Sequence, residues 1–237
     1  GNLLFHGSVP LNEDGSFRKV QLYGETYRGK ALYDALEAYV RRAFYSVHRE
    51  EQQRGKDMLW YIWEGPDSPL FGKDKMSTFE RYFIADAGTH KEKKNAYYRH
   101  LEDPETVDRI LQEFGLDPEE GHIINGLEGE SPVKCQGKGL VIDGGFSKAY
   151  HKVTGIAGYT LIYNSYGLIL TAHEPFTSAE EAVAREQDIV SNRVAVRYTG
   201  VRHLVGDTDN GRALKERISE LTQLLEAYRR GTIKEKQ

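Results

Sequence analysis

The chain has 237 residues, 39 % of them apolar, and a formal net charge of −4. This is enough for one large domain or two small ones around a real core. It lacks the global basic field that nucleic acid would call for. The longest mostly apolar run falls far short of the ~20 residues of a membrane span, so no membrane partner is expected. Cys135 is the single cysteine, which excludes an intramolecular disulfide and points to a reducing, cytoplasmic compartment. No neighbouring pattern would depress its pKa, so it does not read as a nucleophile.

Asn2 to Phe5 (NLLF) reads as a strand ending at His6-Gly7. The opening GNLLFHG is neither a signal nor a transit peptide. A core-like strand at a terminus suggests that further chain precedes it. Asn12-Glu13-Asp14-Gly15 forms a turn. From Lys30 to Arg54, Leu32, Ala35, Leu36, Tyr39, Ala43, Phe44 and Val47 recur at helical spacing, predicting one long amphipathic helix stopped by Gly55. Leu59 to Trp63 (LWYIW) reads as an aromatic strand, broken at Gly65-Pro66-Asp67-Ser68-Pro69 into a loop carrying Lys73, Lys75 and Arg81. Such a loop could cradle a phosphorylated sugar, cations on phosphate and rings on the sugar's apolar side; the alternative is a core strand with a solvated loop. His90 to Lys94 (HKEKK) mixes both signs and reads as a solvated face.

Asp103-Pro104-Glu105 starts a helix that Gly115 stops. His122 to Asn125, before Gly126, is another short strand with a polar tip. Leu140 to Ile142 is a buried strand ending at Asp143-Gly144-Gly145. Asp143 is either a turn former or the edge of a site. Tyr159–Tyr163 and Leu168–Thr171 flank Asn164-Ser165-Tyr166-Gly167 and predict a hairpin. Thr177 to Glu180 has a capping-box spacing and opens a helix to about Val190. Arg193 to Val205 reads as a strand. Asp209 to Arg230 reads as a helix ended by Gly231, with Leu214, Ile218, Leu221, Leu225 and Tyr228 on one stripe, taken as core packing rather than a partner helix. The sum of these elements is an α+β chain.

P-loop, GxGxxG, HExxH, CxxC and GxSxG patterns are absent. What remains are strand tips: His6, Asn125-Gly126 and Asp143. Phosphoesterases that use two metals gather ligands from such tips, with the ions ~3.5–4 Å apart. A histidine beside a glycine is, by itself, more often structural.

FHGSVP, WEGPDSPLFGKDKMSTFERYF, THKEKKNAYY, GHIING, GESPVK, LVIDGGFSKAY, TGIAGYTLIYNSYGL and HEPF together resemble the class III fructose-1,6-bisphosphatases of Firmicutes. The resemblance runs from Asn2 nearly to the end. It implies a calcineurin-like metallophosphoesterase β-sandwich flanked by helices. It implies hydrolysis of the 1-phosphate of fructose 1,6-bisphosphate by a two-metal activated water in gluconeogenesis, usually with manganese. It puts His6 at a metal-ligand position and Lys73, Lys75, Arg81 and Asp143 towards substrate phosphate. Members of the family are much longer, and their N-terminal part holds the D-x-H, GD-x-x-D and GNHE elements, none of which occurs here. Residues 1–237 are therefore expected to be the C-terminal portion of one catalytic domain, sharing its two ions with the N-terminal half of the same enzyme and inactive alone. Self-association stays open. The family also continues ING into a histidine, where Leu127 stands here. Either a ligand has been lost, or a polar loop between Gly126 and Leu127 is not part of the sequence; the register on both sides favours the second. Two other readings remain: a metallophosphoesterase of different substrate, and a non-catalytic sugar-phosphate-binding or regulatory module.

Overall fold

A computed structural model describes residues 1–126, 132–142, 158–173, 179–186, 190–198 and 200–234. Leu127, Asp143 and the expected cap at Thr177-Ser178 lie outside the described residues. The chain forms two compact units, residues 1–159 with 174–188, and residues 160–173 with 189–237. Mixed helices and sheets bear out the α+β class.

In the first unit, β1 (Asn2–Phe5), β4 (His122–Asn125), β6 (Gly139–Val141) and β5 (Val133–Lys134) form a sheet in the order β1-β4-β6-β5. β1, β4 and β6 run parallel, and β5 is antiparallel at the edge. The short apolar runs of β4 and β6 are buried throughout, as parallel strands covered on both faces are. Helix α5 (Pro104–Glu113) packs there through Val107, Ile110 and Leu111, joined by Val9, Leu11 and Tyr97. Its start is set by Asp103, whose carboxylate accepts from the Thr106 amide at 3.2 Å. Its end is set by Gly115 at φ 75°. Both signals were legible locally.

β2 (Val20–Leu22) and β3 (Glu25–Tyr27) form a small hairpin through Tyr23 and Gly24, both at positive φ. Helices α1 (Gly29–Tyr45) and α2 (Arg49–Glu64) build a second core on it from Leu32, Leu36 and Met58. This corrects two expectations. The single helix over 30–54 is two helices. Ser46 breaks it: its hydroxyl accepts from the His48 amide at 3.0 Å and donates to Glu51 at 2.5 Å, starting a new helix. The aromatic run 59–63 is the last turns of α2 and not a strand, because Met58, Tyr61 and Ile62 at helical spacing meet the Leu32/Leu36 face. Gly55 is no stop. It lies buried inside α2, where an added Cβ would sit 2.1 Å from Ala43 Cβ of α1, so it marks a close approach of the two helices.

The second unit holds nearly all of an antiparallel sheet β7-β8-β9 (Gly158–Asn164, Gly167–His173, Ser191–Tyr198). The expected hairpin is β7–β8, its turn tied by Asn164 Oδ1 accepting from the Tyr166 amide at 2.9 Å. β9 ends at Tyr198, short of the expected Val205, and the helix expected to reach Val190 is limited to Ala179–Ala184. The helix Asp209–Arg229 starts on a Thr208 cap that accepts from the Gly211 amide at 3.0 Å. Its apolar stripe is not core, for the five stripe residues are exposed. No described helix is long and apolar enough to cross a membrane.

Candidate active site

The register pairs Phe5 with Asn125 and Asn125 with Val141. Three parallel neighbours therefore end level, and the chain leaves all three at one sheet edge, the place where open parallel sheets present their polar groups. The strand tips singled out in the sequence thus converge for His6 and Asn125-Gly126, and the third strand can be followed to Ile142. The ladder runs one step past the strands: the Gly126 amide donates to His6 O at 3.0 Å, and the Ile142 amide donates to Asn125 O at 2.9 Å.

His6 is exposed at this edge, with its ring lying against Gly126. A Cβ on Gly126 would come within 3.1 Å of His6 Nδ1, so the glycine is there for close approach. Asn125 is 1 % exposed, its Nδ2 reaching Gly7 O only at 3.5 Å. Its Oδ1 is one of four buried side-chain polar atoms without a partner among the described residues. An unpartnered buried amide oxygen is uncommon in a folded chain, and this one stands on the strand that ends at Gly126. The polar strand tip was legible before folding, but no local pattern showed that the amide would be buried.

The turn after His6 is pressed against the Gly/Pro loop. A Cβ on Gly7 would lie 2.2 Å from Pro69 O, and the Ser8 amide donates to that oxygen at 2.7 Å. Three residues on, Gly72 at φ 66° lies under the Tyr98 and Ser8 hydroxyls. The loop that carries the candidate phosphate-binding cations is therefore anchored to the candidate metal-binding turn by backbone contact.

Lys73, Lys75 and Arg81 stand on one segment braced by residues 89–92. Lys73 Nζ pairs with Glu92 at 2.9 Å, Lys75 Nζ donates to Thr89 O at 2.9 Å, and Arg81 donates to Ser77 Oγ at 3.1 Å and His90 O at 2.9 Å. Glu92 also accepts from the Ser77 amide and hydroxyl, each at 2.8 Å. Burial works to raise the Glu92 carboxyl, but Lys73 and the two Ser77 donors outweigh it and hold the group at about 2. The stretch 90–94 is thus no simple solvated face, since Glu92 is the hub of the loop. A lone acid within a lysine run carried no signal of this. Lys73 also borders an open groove of about 200 Å³ lined by Arg18, Asp67, Asp74, Lys93 and Asn95 among others.

Cys135 is buried, and burial pushes its thiol up, consistent with an inert cysteine. Among the described residues no three His, Cys, Asp or Glu side chains converge as a metal cage. The site offers a divalent ion one accessible imidazole, which fits a single ligand and does not complete a coordination sphere.

A family model for Firmicute fructose-1,6-bisphosphatase matches residues 1–230, and the chain belongs to that family. Among curated proteins it is similar to one named fructose-1,6-bisphosphatase class 3 from Clostridium botulinum (strain Kyoto / Type A2), 53 % identical over 241 residues. Proteins of the same name from Clostridioides difficile (strain 630) and Alkaliphilus metalliredigens (strain QYMF) are each 54 % identical, over 241 and 244 residues. Each comparison covers 99 % of this chain and 36 % of the relative, so the chain spans about a third of their length. No solved structure matches it. Membership of the family implies dependence on a divalent metal.

Proposed function

We propose that this chain forms one wall of the active site of a fructose-1,6-bisphosphatase, which hydrolyses the 1-phosphate of fructose 1,6-bisphosphate to fructose 6-phosphate and phosphate in gluconeogenesis. The observation that carries the proposal is the exposed imidazole of His6 at the shared end of three parallel strands, in a chain of this family. In this reading residues 1–237 are the C-terminal portion of one calcineurin-like metallophosphoesterase domain. The N-terminal half of the same enzyme contributes the remaining ligands in the cytoplasm. The mixed sheet with helices packed on it supports that placement.

His6 holds a divalent ion, manganese in the first instance, as one ligand of a two-ion site. Such ions, when bound, polarise phosphate oxygens and lower the pKa of a coordinated water. Lys73, Lys75 and Arg81, with Asp143 at the neighbouring strand end, orient the sugar phosphates. Lys73 suits the task because Glu92 holds the ammonium in place through one of its three N–H donors, leaving two for an anion. The competing reading is a sugar-phosphate-binding module without turnover, in which the metal-binding half of the enzyme has been lost.

The full-length gene product and its His6→Ala variant decide between them. Manganese-dependent phosphate release from fructose 1,6-bisphosphate, with manganese binding followed by electron paramagnetic resonance, is expected in the parent. In the variant, turnover should fall at least about a hundredfold and manganese bind more weakly. Release that is equal in both proteins refutes the role of His6. Binding of the sugar bisphosphate without any turnover in the parent leaves the binding module. Preference for a nucleotide or phosphoprotein points to the third reading.

A further inference from the structure

The groove beside Lys73 is walled by three segments that hydrogen bonds tie together. The stretch after β1 contributes Leu11 and Arg18, the Gly/Pro loop contributes Asp67 and Asp74, and residues 93–96 close the third side. Asn95 joins all three: its amide donates to Gly72 O at 2.9 Å, and its Oδ1 accepts from the Leu11 amide at 3.0 Å. Lys93 and Asp74 are tied twice, the Asp74 amide donating to Lys93 O at 3.0 Å and the Lys93 amide to Asp74 Oδ1 at 2.7 Å. The walls are therefore set before a ligand arrives, which lowers the ordering cost of binding one.

What the lining leaves unused defines the ligand. Asn95 Oδ1 also accepts from the Tyr97 amide at 2.9 Å, so the amide's orientation is fixed and its Nδ2 is left as a donor. Arg18 pairs through Nε with Asp67 Oδ2 at 2.7 Å, leaving its two terminal nitrogens. Lys73 and Lys93 each pair with one carboxylate, Glu92 at 2.9 Å and Glu13 at 3.1 Å, leaving two N–H donors apiece. Both oxygens of Glu13 are taken, by Lys93 and Arg99, so the carboxylate oxygens left over are Asp67 Oδ1 and Asp74 Oδ2. Donors are in surplus, beside two acceptors and an apolar lining from Leu11, Pro66 and Ala96. A phosphate takes the donors, hydroxyls serve the acceptors, and carbons pack on the apolar part: the pattern of a phosphorylated sugar. The volume of about 200 Å³ lies below the roughly 300–1,000 Å³ of sites for drug-sized ligands, which suits one sugar phosphate rather than a nucleotide. His6 does not line this groove, while Pro69 O of the same loop accepts from the Ser8 amide. The groove is thus tied to the sheet edge but lies off it. Resting on the fructose-1,6-bisphosphatase reading, we infer that it holds the 6-phosphate, the end that is not cleaved. Arg18, Lys93 and Asn95 then select a bisphosphate over a monophosphate.

The double variant Arg18→Gln/Lys93→Gln in the full-length gene product tests this. Both side chains are well exposed, 46 % and 75 %, so folding is not at stake. The preference for fructose 1,6-bisphosphate over fructose 1-phosphate, read as the ratio of kcat/KM values, should fall at least about tenfold, mainly through KM. Calorimetry with manganese removed should show fructose 6-phosphate binding the parent, and the variant at least about tenfold more weakly. Turnover in the parent with an unmoved preference overturns this inference and leaves the fructose-1,6-bisphosphatase reading standing. No turnover in the parent, with fructose 6-phosphate binding that the variant loses, defeats that reading and supports the groove as a sugar-phosphate site. Equal binding by parent and variant overturns the groove's role. Inorganic phosphate bound as tightly as fructose 6-phosphate overturns the assignment of a sugar.

Discussion

Gly55→Ala is the sharpest test of how α1 and α2 are joined. On helix propensity alone the change should stabilise α2 by about 1 kcal/mol. The new methyl, however, would stand 2.1 Å from Ala43 Cβ, where non-bonded carbons prefer about 3.5–4.0 Å. The helices must then part by roughly 1.5 Å, loosening Met58 from Leu32 and Leu36, and overpacking of this kind costs about 1–3 kcal/mol. The net expectation is a loss of up to about 2 kcal/mol, or a midpoint lower by up to about 8 °C. Urea and thermal unfolding followed by far-ultraviolet circular dichroism would measure it. Adding Ala43→Gly should restore most of the loss, giving a coupling of about 2 kcal/mol between two sites that are each damaging alone. A Gly55→Ala protein more stable than the parent would refute the close crossing. So would strictly additive effects, which are what a glycine that merely ended a helix would give.

Acid sensitivity should trace in part to Glu92. Its carboxyl titrates at about 2 when folded against 4.5 ordinarily, so the stability it gives is complete above about pH 4.5 and lost as pH falls towards 2. After solvent screening this is about 1–2 kcal/mol. Glu92→Gln should lower stability at pH 7 by that amount and flatten the acid limb of the stability profile; an unchanged acid limb would argue against the Lys73–Glu92–Ser77 network. Gly126→Ala sets a methyl 3.1 Å from His6 Nδ1 and should displace the ring, reducing phosphate release by the full-length protein about tenfold with little change in melting temperature. Activity equal to the parent's would show that the ring's seat against Gly126 is not needed.

Much of the fold was legible because its signals are local. Asp103-Pro104 and Gly115 bracket α5, short apolar runs mark β1, β4 and β6, and an Asn/Ser/Gly turn closes the β7–β8 hairpin. Each depends on backbone preferences or burial period within a few residues. Misreadings fell where a partner distant in sequence decides. Leu59–Trp63 has strand-like composition, yet it is helical because α1 offers Met58, Tyr61 and Ile62 an apolar face at helical spacing. The candidate site divides in the same way. His6 and Asn125-Gly126 were visible as polar tips, while the sequence had no means to show that Glu92 would gather Lys73 and Ser77 across fifteen or more residues.

By itself, then, the sequence determined where β1, β4, β6, α5, the β7–β8 hairpin and the Asp209–Arg229 helix lie, which strand tips carry polar groups, and a family resemblance borne out over residues 1–230. Only the tertiary structure decided which tips meet, which glycines serve close packing rather than turns, and that the stripe from Leu214 to Tyr228 faces outward. The reason is physical: propensities and caps act over a few residues, whereas burial and charge pairing depend on which surfaces the folded chain brings together.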